Sequence, residues 1–328
     1  MKKVGNYIFQ RRIGEGQFGK VYTASHEHTN ELFAIKTVAK ERINKMTKLR
    51  SLFETEMAVM SKIKHPNILH LHEYLETPNN YYLVIDYCNN GDLEQHVRKF
   101  KFLGEQESVY FLMQIMNGFR ELHRHKIMHR DFKLANIFLN DDKIVIGDFG
   151  FAKSGCEVAS TKLGSPITMA PELLNSAGHI TYTNKADLWS IGVCFFEMIF
   201  GNSPWVISTI DDLKKKILVE SGSSLRIPLD PPTTVECKDL LRRLIEPNPT
   251  KRIEWIDFFN HAIFRSYSNG IKTTPNMKQS VMFRNHEKKV IRIFQKNQER
   301  AKEFTTVKLI SDPQKIKVDG TVNNDEYF

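Results

Sequence analysis

Residues 127–140 read Ile-Met-His-Arg-Asp-Phe-Lys-Leu-Ala-Asn-Ile-Phe-Leu-Asn, and this stretch decides how the chain is interpreted. Asp131 is an acid able to take or orient the proton of an attacking hydroxyl. Lys133 can neutralise charge on a phosphoryl group in transit. Asn136, five residues after Asp131, supplies a side-chain oxygen suited to Mg²⁺. The residues between them, Phe132, Leu134 and Ala135, neither donate, accept nor coordinate, and are expected to serve packing or specificity. Taken alone, a polar loop of this kind is also ordinary turn chemistry.

Just downstream, Ile144-Val145-Ile146-Gly147-Asp148-Phe149-Gly150 reads as a buried strand delivering a carboxylate at Asp148. By itself an Asp-x-Gly turn after a strand is common. Upstream, Ile13-Gly14-Glu15-Gly16-Gln17-Phe18-Gly19-Lys20-Val21 holds G-x-G-x-x-G between two strand-like segments. That context argues against a dinucleotide fold, which needs a strand followed by a helix. Glycines let backbone N–H groups approach phosphate oxygens, although a plain glycine-rich hairpin fits the same residues.

Leu32 to Val38 alternates in strand fashion, which puts Ala34, Lys36 and Val38 on one face. A strand lysine is usually solvated, but Glu56 falls on the apolar stripe of the following helix, read from Leu49 to Ile63 and ended by Pro66. A carboxylate there is costly unless paired, so a Lys36–Glu56 ion pair is expected.

Strand signals continue over Leu69 to Tyr74 and Tyr81 to Asp86, and Asn89-Asn90-Gly91-Asp92 breaks the pattern. From Asp92 to about Phe264 the sequence reads mostly helical, most clearly over Glu107–His125, Lys185–Phe200 and Thr234–Ile245. No internal repeat is visible.

The chain has 328 residues, 41% of them apolar, which is enough for substantial cores. Its four cysteines are scattered without C-x-x-C spacing, so they suggest neither a disulfide framework nor a zinc site, and a reducing compartment is the default. No apolar run follows the N-terminal lysines, and none reaches the length of a membrane span, so a cytoplasmic, soluble protein is expected. The net charge of +9 is uneven: 13 basic and 7 acidic residues from Arg265 to Phe328 leave 34 and 31 for residues 1–264. The tail is open to anionic membranes or acidic protein partners. Nucleic acid is disfavoured, because aromatic residues interleave the helical-looking Arg284–Phe304 only at Phe294 and Phe304.

Together, Gly14–Gly19, Ala34-Ile35-Lys36, Glu56, His129-Arg130-Asp131, Asn136, Asp148-Phe149-Gly150 and Ala170-Pro171-Glu172 resemble the eukaryotic protein kinases. The resemblance covers residues 7 to about 264. It implies an α+β, bilobal protein kinase fold: a small β-rich N-lobe with one main helix (about 1–87), a hinge at 86–91, and a larger α-helical C-lobe (about 92–264). A basic C-terminal extension, 265–328, follows.

It also carries roles to individual positions. Lys36 would hold the α and β phosphates of ATP and Glu56 would fix Lys36. Asp131 would be the catalytic base, Lys133 the γ-phosphate contact, and Asn136 and Asp148 the Mg²⁺ ligands. Ile13, Gly14, Gly16 and Gly19 would cover the nucleotide. Val21, Ala34 and Phe138 would sandwich adenine against the hinge backbone of Asp86, Tyr87 and Cys88, and Asp92 would touch ribose or peptide. Asp187, opening Asp187-Leu188-Trp189-Ser190-Ile191-Gly192, would anchor the catalytic loop, and Arg252 would pair with Glu172.

Lys133 is similar to the serine/threonine members, and Phe151 to those preferring serine. Arg130 implies control by a phosphate on the segment Asp148–Glu172, held by Arg130 and Lys153, with Thr161, four residues before Ser165, the best-placed acceptor and Ser160 next. Tyr87–Leu93, Gly164–Glu172 and Asp257–His261 look like the autophagy-initiating, Unc-51-like kinase group, with calcium/calmodulin-type and mitotic kinases as neighbours. Two departures matter. Thr168 stands where tyrosine or tryptophan is usual, and Ala135 lacks the acid common in kinases that require upstream arginine. The rival reading is a non-catalytic scaffold of the same fold, against which Lys36, Asp131 and Asp148 are all present.

Overall fold

A computed structural model describes residues 2–15, 19–45, 47–150, 152, 166–174 and 184–267. The first quarter of the chain carries one antiparallel sheet from β1 (Lys3–Val4), β2 (Tyr7–Glu15), β3 (Gly19–His26), β4 (Leu32–Ala39), β5 (Leu71–Glu76) and β6 (Asn80–Asp86), in the order β1-β2-β3-β4-β6-β5. Alternation along β4 sorts its side chains as the sequence predicts. Phe33 and Ile35 enter a small core with Tyr7, Phe9, Ala24, Tyr82 and Val84. Ala34 and Val38 join the main core, which runs through the rest of the domain.

Two helices cross over from β4 to β5: the short α1 (Lys40–Asn44), which the sequence reading lacked, and α2 (Thr47–Lys62). Leu52, Phe53, Met60 and Ile63 are the buried members of the expected apolar stripe, and Glu56 is buried among them. The fifth strand starts two residues later than its apolar run. Leu69 donates its N–H to the Ile146 carbonyl at 2.8 Å, so the run's beginning pairs with a strand of the second half instead of β6.

That second half is helical apart from the hairpin β7 (Ile137–Asn140) and β8 (Lys143–Ile146). Its helices are α3 (Leu93–Phe100), α4 (Gly104–Arg124), α5 (Pro171–Leu174), α6 (Lys185–Phe200), α7 (Ile210–Val219), α8 (Val235–Leu244), α9 (Trp255–Phe259) and α10 (Ala262–Ser266). The centre is α6, where every residue from Ala186 to Phe200 except Glu197 is buried. Burying a side chain such as Phe195 or Ile191 contributes about 1.5–3 kcal/mol. Gly192 allows α8 to approach, since a Cβ there would lie 2.7 Å from that of Leu244. Among the described residues no helix is long and apolar enough to cross a membrane.

Candidate active site

The site lies where the sheet, the β7–β8 hairpin and α6 meet. Lys36 projects from β4 and its Nζ donates to both carboxylate oxygens of Glu56 on α2, each at 2.7 Å. Burial pushes the Glu56 carboxyl above its ordinary value and the nearby Asp148 carboxylate adds to this, while Lys36 opposes both. Glu56 is thus a costly charge in an apolar stripe, made tolerable by a two-point partner, as the sequence argument requires.

The loop 129–136 hangs from α6. Asp187, buried in the first turn of that helix, accepts the backbone N–H of His129 at 2.8 Å and of Arg130 at 2.9 Å. Burial raises its carboxyl, against the pull of His129 and Arg130. Arg130 has a positive φ of 67°, as does Asp148 at 60°. Non-glycine residues rarely adopt this region and hold it only where their surroundings over-determine it. From Asp131 onward burial alternates. Phe132 and Leu134 are buried, and Asp131, Lys133 and Ala135 are half-exposed. Phe132 packs edge-on against Phe119 and His129, with ring centres 4.8 and 5.6 Å apart. The odd fillers of the motif are what seat it.

On the exposed side, Lys133 Nζ donates to Asp131 Oδ2 at 2.7 Å. The Asn136 amide donates to the Asp131 carbonyl at 2.8 Å and to Oδ2 at 3.2 Å. With its nitrogen committed, Asn136 leaves its side-chain oxygen for a cation. The Asn136 carbonyl accepts from Gly147 N–H at 2.9 Å, which ties the loop to the residue before Asp148. The His129 ring reaches the Gly147 carbonyl at 3.0 Å and lies 5.2 Å from the buried ring of Phe149. These bonds lock the loop 129–136 to the segment 147–149 and hold Asn136 against the residue before Asp148.

The expected nucleotide contacts lie on β2, β3 and β4, on β7, and at the end of β6. Ala34 is buried, Val21 and Phe138 are half-buried, and Ile13 is exposed. Gly14 pairs with Val21 across the hairpin. Gly19 packs flat on β4, where a Cβ would come within 1.9 Å of the Thr37 carbonyl oxygen. After β6, Tyr87 and Cys88 are half-buried, and burial followed by the Asp86 charge pushes the Cys88 thiol up to about 12. The Asp86 carboxylate is engaged by His72 Nε2 at 2.7 Å and His70 N–H at 2.9 Å. Burial would raise it, but these bonds outweigh burial and hold it below the usual aspartate value. Asp92 caps α3, accepting from Gln95 N–H at 2.9 Å and Gln95 Nε2 at 2.6 Å, a task its sequence position did not announce.

Three further contacts escaped the sequence reading. Asn89 and Asp141 exchange hydrogen bonds at 2.7 and 2.9 Å and so clip the hinge to the hairpin. Buried Asn67 donates to Gln114 Oε1 and the Ile144 carbonyl, linking the segment after α2 to α4 and β8. Ser190 Oγ donates to the Thr168 carbonyl at 2.8 Å. Only Ser190 carried a signal, as a hydroxyl inside a wholly apolar helix. The expected Arg252–Glu172 pair is formed at two points, 2.8 and 2.9 Å, under the ring of Trp189. Gly16, Phe151, Lys153, Ser160, Thr161 and Ser165 lie outside the described residues.

Fold and constellation together define a protein kinase domain. The chain belongs to the protein kinase family, whose domain matches residues 7–264. Among curated proteins it is similar to serine/threonine-protein kinase atg1 of Dictyostelium discoideum, 38% identical over 271 residues, covering 80% of this chain and 39% of that protein. It is likewise similar to serine/threonine-protein kinase ATG1c of Arabidopsis thaliana, 35% identical over 265 residues, covering 79% of this chain and 35% of that one. Serine/threonine-protein kinase ULK3 of Mus musculus is 34% identical over 267 residues, covering 80% and 55% respectively. The chain thus spans from about a third to just over half of the length of these relatives.

Proposed function

We propose that this chain transfers the γ-phosphoryl group of ATP to serine and threonine hydroxyls of proteins. The observation that carries the reading is the Asp131–Lys133–Asn136 cluster, tied through Asn136 to the residue before Asp148, together with the Lys36–Glu56 pair, whose carboxylate feels the Asp148 charge. The acceptor oxygen bonds to the γ-phosphorus as the β–γ bridging bond breaks, ADP leaves, and the hydroxyl proton passes to the Asp131 carboxylate. Lys133 holds that carboxylate and meets the growing charge on the phosphoryl oxygens. Lys36, oriented by Glu56, binds the α and β phosphates. Glycines 14, 16 and 19 present backbone N–H groups to phosphate, and Ile13, Val21, Ala34 and Phe138 enclose adenine beside Asp86, Tyr87 and Cys88. Asp92, already capping α3, borders the ribose end.

The donor set fits Mg²⁺. Among the described residues no three His, Cys, Asp or Glu side chains gather to hold a metal. A cation here would rest on Asn136 Oδ1, the Asp148 carboxylate and phosphate oxygens, the mixed oxygen shell Mg²⁺ favours. When bound, it would neutralise charge on the phosphates.

We further infer that residues 1–264 are the catalytic unit, with lobes meeting at 86–91, and that 265–328 is a basic extension recruiting a regulatory partner or an anionic membrane. Arg130 and a phosphate on Thr161, or else on Ser160, would set activity, in a cytoplasmic signalling role of the autophagy-initiating type. The test is to incubate the purified, Thr161-phosphorylated chain with γ-labelled ATP, Mg²⁺ and a generic protein acceptor, then analyse the labelled amino acids. Phosphoserine and phosphothreonine are expected. Label on tyrosine alone would refute the acceptor assignment, and no label at all would favour the non-catalytic scaffold.

A further inference from the structure

The last residues of the hinge run alongside β7. Asn90 N–H donates to the Leu139 carbonyl at 3.0 Å, Leu139 N–H donates to the Gly91 carbonyl at 2.8 Å, and Asp92 bridges to Phe138. Asn89, Asn90 and Gly91 are all exposed, and so short a ladder in solvent opens at little cost unless something closes its end. The Asn89–Asp141 exchange stands at that end. Asn89 Nδ2 donates to Asp141 Oδ1 at 2.7 Å while Asp141 N–H donates to Asn89 Oδ1 at 2.9 Å. A carboxylate can only accept and a backbone N–H can only donate, so the two bonds together fix which way the Asn89 amide faces. Asn90 Nδ2 adds a longer bond, 3.4 Å, to the Asp141 carbonyl.

The turn that carries Asp141 is gripped from the other side as well. Tyr110 OH donates to the carboxylate and to the carbonyl of the buried Asp142, each at 3.2 Å, and Gln114 Nε2 donates to the same carbonyl at 3.1 Å. One aspartate of the turn is thus fixed to α4 and its neighbour to the hinge. Between them, β7 carries Phe138, whose ring lies against Gly147, where a Cβ would come within 2.8 Å of it. We propose that Asn89 and Asp141 are positioning residues for the nucleotide: their reciprocal pair holds the hinge at a fixed spacing from Phe138, so that the adenine slot is formed before the nucleotide enters. The inference rests on the nucleotide reading given above. A slot built in advance spares the cost of ordering it on binding. Freeing the hinge lowers the fraction of molecules whose slot is competent, and the apparent affinity falls by that fraction.

The test exchanges the two side chains. Asn89→Asp sets two carboxylates against each other at an exposed position. Asn89→Asp with Asp141→Asn restores one amide and one carboxylate with their places reversed, and asparagine tolerates the positive φ of 53° at position 141. Binding of Mg²⁺ and a non-hydrolysable ATP analogue to the full chain is measured by calorimetry, and amide hydrogen exchange is followed without nucleotide. Asn89→Asp should weaken binding roughly fivefold, and the exchanged pair should return to within about twofold of the parent. The amides of Asn90 and Leu139 should exchange faster in Asn89→Asp and recover in the exchanged pair. Equal affinity in the parent and Asn89→Asp, or an exchanged pair that binds no tighter than the single variant, would overturn the inference and leave the site reading standing. A parent that fails to bind the analogue would overturn the site reading, and the inference with it.

Discussion

Asp187 holds Arg130 by its backbone: the carboxylate of one accepts the N–H of the other at 2.9 Å, at a residue whose φ is 67°. The same carboxylate takes the N–H of His129. The loop carrying Asp131 is therefore fixed to the most buried helix of the domain by one side chain. Asp187→Asn keeps one acceptor and turns an amide N–H₂ toward the other donor. We expect a stability loss of about 1–3 kcal/mol and a much larger proportional loss of kcat than of ATP affinity, measured by urea unfolding and steady-state kinetics.

Glu56 has no apolar reason to face the core. Glu56→Gln keeps its size and removes the charge that orients Lys36. The expected result is a kcat/KM for ATP lowered by about 10²-fold, with the circular dichroism spectrum unchanged. Lys36→Met should give a loss of the same order, and the double variant should cost little more than either single one, because the two groups act as a unit.

Arg252 and Glu172 form a largely desolvated pair, the arginine side chain being 0% exposed and the glutamate 16%. Arg252→Lys keeps the charge but cannot reproduce the two-point geometry together with the bonds to the carbonyls of Lys185 and Glu246. A destabilisation of about 3 kcal/mol is expected, visible as a lower denaturation midpoint with an unchanged m-value.

The hinge aspartate supplies a pH dependence. Asp86 has its folded-state pKa lowered, so its contribution to stability is complete above the ordinary aspartate value of about 4 and is lost as pH falls through the lower folded value. Asp86→Asn should therefore be less stable than the parent at pH 6. The gap between them should narrow as pH falls below about 4, read from paired urea titrations.

Ala135 and Phe132 separate specificity from seating within one loop. Phe132→Ala should cost about 3–5 kcal/mol through the cavity it leaves. Ala135→Glu, at a half-exposed position, should leave the unfolding midpoint in place and shift a peptide-array profile toward arginine upstream of the acceptor.

These contrasts explain what the sequence made legible. Asp131, Asn136 and Asp148 stand out in the sequence because phosphoryl transfer would restrict the residue types at fixed intervals. Lys36–Glu56 was legible from cost, since a buried carboxylate demands a partner. Asn89–Asp141 and Asn67–Gln114 were not, because ordinary polar residues in loops carry no sign of what they will meet. The start of β5 was misplaced for a related reason: Leu69 belongs to an apolar run, but its N–H is claimed by Ile146, 77 residues further on.

The central claim is that Asp131 and Asp148 act together on a bound nucleotide. Its most direct test is single-turnover transfer of labelled γ-phosphate to a serine-containing protein by the parent chain, Asp131→Asn and Asp148→Ala, each shown by circular dichroism to be folded. The account predicts transfer by the parent and rates lowered by roughly 10²–10⁴ in both variants. Equal rates in all three, or none in the activation-segment-phosphorylated parent, would contradict it.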